Sequence, residues 1–289
     1  MNGKYITTLL SLPLEIRLQI YRWLHLMSPV RQLPLAPGYP TLVHCQYILR
    51  RVVHNTDFPP DYDTLPSIAS LLSPYRPLSV LPTSLLQTNS QIYHEARLIP
   101  FMYNEFVFVN WFASGLWTAR AFTRALAPWQ RSALRFVRLE VLARDVLGSA
   151  GREEWRALCK DWAAGVRGLR MKMVLGSSTV STILTTSGTS DSGSGGVGPR
   201  AEAARRWVVG GLGMMRRLES VEMEVVAREM RDEDKVRWCE MLEEELRGIG
   251  LETVNVVCVE KVVQEKMEWI KANVWWKALV ISWGGSETR

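Results

Sequence analysis

Glu15-x-Arg17 and Glu95-x-Arg97 are the residues whose chemistry is best matched, because a carboxylate and a planar guanidinium form charge-assisted, often bidentate hydrogen bonds. Residues two apart on one helix do not face each other, so each tripeptide must find its partner elsewhere. The simplest reciprocal scheme packs two helices together and joins Glu15 to Arg97 or Arg17 to Glu95. Such pairs are structural ion pairs; they make and break no bonds.

The spacings that would support catalysis or cofactor binding are incomplete. His94-Glu95 opens like the zinc-protease pattern His-Glu-x-x-His, but Arg97 and Leu98 follow and the second imidazole is missing. Gly193-x-Gly195-x-x-Gly198 matches a dinucleotide fingerprint in letters only. It stands in a Ser/Thr/Gly stretch and runs into Pro199, whereas the fingerprint works at a tight strand-to-helix turn. His44, Cys45 and His54 read as surface or packed residues rather than ligands. Neither a Gly-x-Ser-x-Gly elbow nor a phosphate-binding Gly-x-x-x-x-Gly-Lys-Ser/Thr loop occurs. The chain is therefore read as non-enzymatic, with no metal and no cofactor.

The four cysteines, Cys45, Cys159, Cys239 and Cys258, have no Cys-x-x-Cys spacing, which points to a reducing, intracellular compartment. Tyr5 to Leu14 is apolar behind Lys4 but runs straight into an amphipathic pattern without a cleavage site, so it is not read as a secretion signal. Val274 to Trp283 is broken by Lys277 and is too short to span a bilayer, so a soluble protein without membrane contact is expected. The net charge of +6 would attract nucleic acid only if gathered on one face. Arg131, Arg135 and Arg138 alternate with apolar residues and read as part of solvated surfaces. Most of the twelve tryptophans fall in helical patterns; Trp155 and Trp162, like Trp269 and Trp276, are seven apart and read as core.

These residues need elements to hold them. Pro13 and Glu15 mark the start of a helix over 13–27, with one apolar row at Leu12, Ile16, Ile20, Trp23 and Met27 and a second at Leu14, Leu18 and Tyr21. A proline-rich insertion over 28–82 excludes long helices, with Thr41 to Val53 its one candidate strand or short helix. The spacing predicts a second helix over 83–99, limited by Pro100, and a short strand at Glu105 to Val109. Beyond it Leu134-x-x-Val137-x-Leu139-x-Val141 recurs as Leu218-x-x-Val221-x-Met223-x-Val225 and Leu251-x-x-Val254-x-Val256-x-Cys258. Leu169-x-Met171-x-Met173 is a shorter version. Helix-like stretches at 152–166, 200–214 and 232–247 separate these segments, so about four parallel strands alternating with helices are expected. Binary patterning yields such strands in any α/β domain; a leucine-rich-repeat-like array is the alternative. The Ser/Thr/Gly stretch 176–199 is expected to be a flexible loop.

Leu12-Pro13-Leu14-Glu15-Ile16, with Ile20 and Leu24, resembles the opening helix of F-box motifs. Leu85 to Arg97, continued by Tyr103 to Phe108, resembles the second block of fungal F-box-like proteins of the type named for two Glu-x-Arg motifs. The resemblance covers roughly 9–110. Asn89-Ser90 stands where that family usually has Cys-Arg, and the insertion separates the two blocks. Taken together with the alternation of strands and helices beyond it, the resemblance gives the expectation of an α+β chain in which an F-box-like helical module, 1–110, precedes an α/β domain, 111–289. It implies protein–protein interaction, in its most concrete form a substrate receptor meeting the Skp1 adaptor of ubiquitin ligases through Leu12, Pro13, Leu14 and Leu18. A basic nucleic-acid-associated protein and a structural domain are the alternative classes.

Overall fold

A computed structural model describes residues 8–28, 47–52, 79–109, 114–176 and 207–263. Pro13 occupies the N-cap of helix α1, Leu14–Leu26, which carries Glu15 in its first turn, where a carboxylate is matched to the helix dipole. The single helix expected over 83–99 is instead three short ones: α2, Thr83–Thr88; α3, Ser90–Ala96; and α4, Ile99–Tyr103. Asn89 causes the first break. Its backbone is extended, and its side-chain oxygen accepts a hydrogen bond from the Gln91 N–H at 2.7 Å, the standard way an Asn starts a helix. Pro100 begins a helical turn rather than limiting one, because a first-turn proline has no N–H to leave unsatisfied. Tyr21, Leu81, Ile92, Ala96 and Ile99 form the small core of these helices.

Five parallel strands follow in one sheet: β2, Glu105–Phe108; β3, Phe136–Leu142; β4, Gly168–Val174; β5, Ser220–Val226; and β6, Asn255–Val263. A short strand β1, Tyr47–Arg51, precedes them in the chain, and the order of the five is β6-β5-β4-β3-β2. The four strands expected from the repeat are β3 to β6, and β2 from the N-terminal segment is the fifth. Helices separate β2, β3 and β4 and separate β5 from β6: α5, Gly115–Ala125; α6, Pro128–Ala133; α7, Ala143–Leu147; α8, Ser149–Trp162; and α9, Asp232–Gly248, while the helix expected at 200–214 lies partly outside the described residues and ends in a 3-10 turn, Leu212–Met214. Gly250, with φ at 95°, ends the last of these, a conformation for which glycine carries no Cβ penalty.

The register explains the repeat. Val137 lies beside Leu169, Leu169 beside Val221, and Val221 beside Val256, so the recurring apolar positions line one face of the sheet. The final copy is displaced: its motif would align Val221 with Val254, and the strand has slid by two residues. A two-residue slide keeps every side chain on its own face, which is why the pattern survives it. The leading leucines, Leu134, Leu218 and Leu251, are buried just before their strands.

Trp155 and Trp162 are fully buried beneath this face. Each indole N–H is satisfied, by the Trp207 carbonyl at 3.0 Å and the Thr123 hydroxyl at 3.1 Å, as buried indoles require. No helix among the described residues is long and apolar enough to cross a membrane. The expectations for His44, Cys45, His54, 177–199, Trp269, Trp276 and 274–283 lie outside the described residues. The chain divides into two compact units, 1–30 with 51–260 and 31–50 with 261–289; everything that follows concerns the first.

Candidate partner-binding site

The inward face of α1 is polar. Arg17, Tyr21 and His25, at successive four-residue steps, are the residues this helix buries. Arg17 meets Glu95 of α3 in a bidentate pair, with Nε 3.0 Å from Oε2 and Nη2 2.6 Å from Oε1. Tyr21 donates its hydroxyl to the same carboxylate at 3.1 Å, and Gln91 donates from one turn earlier at 2.9 Å. Arg17 also donates to the Leu10 and Leu12 carbonyls and so ties the start of α1 to the chain before it. The Arg17 hydrogen bonds hold the Glu95 carboxyl down at about 2, with Gln91 and Tyr21 assisting. Burial raises the Tyr21 phenol, and its bond to Glu95 raises it further.

His25 closes the other end of this face. Burial holds its imidazole below the usual range, against the opposing effect of a hydrogen bond with Asn104. Asn104 is itself clamped to the Ser79 backbone, accepting from its N–H at 3.0 Å and donating to its carbonyl at 2.8 Å.

Two sets of apolar side chains on α1 stay accessible, Leu14 and Leu18 beside the buried row at the start of the helix and Ile16 and Met27 on the side opposite it. Leu14 is 45% exposed, Ile16 47%, Leu18 39% and Met27 69%. Pro13 is exposed and Leu12 half-buried, so the four residues singled out for partner binding lie along one accessible stretch. The other expected groups are divided. Arg17 and Glu95 are brought together; Glu15 and Arg97 are not. Glu15 is exposed on α1 and makes no ion pair among the described residues. The Arg97 guanidinium lies over the rings of Trp129, at 4.6 Å, and Tyr93, at 5.2 Å, where cation–π attraction takes the place of a carboxylate.

The sheet face opposite the core holds a feature the sequence reading missed. Arg138 was assigned to a solvated surface, but it is 5% exposed in a ladder of charges crossing β2 to β5. Arg170 pairs with Glu222 at 2.8 Å and Glu105 at 3.0 Å, and Arg138 with Glu140 at 3.2 Å. Lys172 lies 3.8 Å from Glu224. Burial raises the Glu222 carboxyl despite the adjacent arginine. The residues between the apolar positions of the repeat were the available signal: Arg-x-Glu in β3, Arg-x-Lys in β4 and Glu-x-Glu in β5 are complementary once aligned. Arg131 and Arg135 are also engaged, the first with Asp161 at 3.5 Å and the second with the carbonyls of Ser132 and Gly165.

No group of three or more His, Cys, Asp or Glu among the described residues could hold a metal ion. The geometry available is thus a helix with a rigid polar underside and an accessible apolar surface. No protein-family model, curated protein or solved structure matches the chain.

Proposed function

We propose that this chain is a non-enzymatic protein–protein interaction protein whose partner docks on the exposed apolar side chains at the start of α1. The observation that carries the reading is the exposure of Leu14 and Leu18 at the start of α1, beside the row Arg17, Tyr21 and His25 that fixes the helix. Apolar side chains held in water on a rigid helix form a surface of the kind that marks protein interfaces. In its most concrete form the partner is Skp1 and the chain a substrate receptor of a ubiquitin ligase, the role implied by the resemblance of Leu12 to Leu24 to the F-box opening helix.

The test is a pull-down with purified Skp1, using wild type, Leu14→Asp and Arg22→Ala, with a thermal melt of each. Leu14 is the first residue of α1 and exposed, so an aspartate there suits the positive end of the helix dipole and leaves the fold intact. In the complex that carboxylate would be buried unpaired, weakening association by about tenfold or more. Arg22 lies over the Tyr103 ring at 4.9 Å, so its loss costs about 0.5–1 kcal/mol of local stability and leaves binding unchanged. Failure of wild type to bind Skp1 would sink the concrete form. Equal binding by Leu14→Asp would sink the assignment of the surface.

A further inference from the structure

We propose that Arg135, Arg167 and Arg217, at the N-terminal edge of the parallel sheet, form a site for a phosphate monoester carried by a phosphorylated segment of a protein partner. The site deepens the interaction reading and rests on it. Arg135 and Arg167 are the residues just before β3 and β4, and the Arg167 N–H donates to the Arg135 carbonyl at 2.9 Å. Glu219, just before β5, continues the row, its N–H donating to the Arg167 carbonyl at 2.7 Å. Backbone pairing therefore holds these positions side by side.

The side chains are set differently. Arg135 is fixed from within, donating to the Ser132 carbonyl at 3.1 Å and the Gly165 carbonyl at 2.7 Å. Arg167 is 44% exposed and shares one carboxylate, Glu219, at 3.3 Å. Arg217 is exposed in the turn leading to β5, with Arg216 beside it. Arg167 and Arg217 are near enough that their charges, after burial, hold the Arg135 guanidinium below its usual range. Like charges kept in reach of one another oppose folding, and such arrangements cluster at functional sites. Three guanidiniums against one carboxylate leave an excess of positive charge that a phosphate monoester, with about −1.5 to −2 at neutral pH, complements.

A nucleic-acid track fits less well. Duplex binding commonly engages about 6–10 phosphates along an extended basic surface, whereas this cluster is compact.

The test is a titration of the isotope-labelled full chain, followed by NMR, with a short acetylated phosphoserine peptide, its unphosphorylated form and a thymidine oligonucleotide. The expected result is phosphate-dependent shifts at residues 135, 167 and 217–219. These should weaken at about pH 5, where the phosphate loses a charge and the arginines do not. Arg167→Gln with Arg217→Gln should weaken binding by about tenfold or more without lowering the melting temperature, since both side chains are exposed and their removal relieves repulsion. Absence of phosphate-dependent shifts, indifference to the double variant, or tighter binding of the oligonucleotide at these residues would each overturn the proposal. Leu14→Asp leaves the peptide shifts intact, so a failure of the α1 surface and a failure of this site are separable.

Discussion

Arg170→Met tests whether the charge ladder is an interior feature. Arg170 is 2% exposed, with Glu222 2.8 Å and Glu105 3.0 Å away, and both carboxylates are largely buried. Methionine keeps much of the volume and removes the charge. Removing one member of a buried, hydrogen-bonded pair costs about 3–5 kcal/mol, because the remaining charge is left uncompensated. Against a domain stability of about 5–15 kcal/mol this is a large loss.

The pH dependence follows from Glu222. Its carboxyl already lies above the ordinary value because burial outweighs Arg170, and without Arg170 it rises further. A raised carboxyl binds its proton more tightly folded than unfolded, so stability is fully present below the ordinary value and falls as pH rises through the raised one. The deficit of Arg170→Met should therefore be larger at about pH 8 than at about pH 5. Urea unfolding followed by tryptophan fluorescence measures both. The double variant Arg170→Met with Glu222→Leu should recover a substantial part of the loss, since a buried pair replaced by apolar groups is often near neutral. A cost below about 1 kcal/mol, typical of an exposed pair, or a double variant no more stable than the single one, would refute the reasoning.

Glu95→Gln should flatten the acid limb of the stability curve measured by circular dichroism. The wild-type carboxyl is held at about 2, so its contribution is present above the ordinary value of 4.5 and lost as pH falls toward 2. Asn89→Ala should cost about 1 kcal/mol in a thermal melt, with Asn89→Asp close to wild type, because the side-chain oxygen caps α3.

The candidate site was legible in part. That Arg17 and Glu95 must look beyond their own helices follows from the two-residue spacing, and they do meet between α1 and α3. Arg97 illustrates what spacing leaves open: a guanidinium can lie over an aromatic face instead of meeting a carboxylate, and here it lies over Tyr93 and Trp129. The break at Asn89 was signalled by its residue type, since Asn competes for helix starts, but the apolar pattern of 83–99 runs across it and hides the break.

Period-two and helical apolar patterns, local by nature, were enough to determine the alternation of strands and helices and the parallel sheet they build. They also determined that Trp155 and Trp162 belong to the core. Which side of each element faces inward was decided only in the tertiary structure. In α1 three polar residues, linked to Glu95 and Asn104, hold the inner face while leucines stand in water. In the sheet, Arg138, Arg170, Glu222 and Glu224 are buried because strands distant in sequence bring opposite charges side by side. Burial of a charge is governed by its partner, and a partner 52 residues away, as Glu222 is from Arg170, leaves no mark in a local pattern.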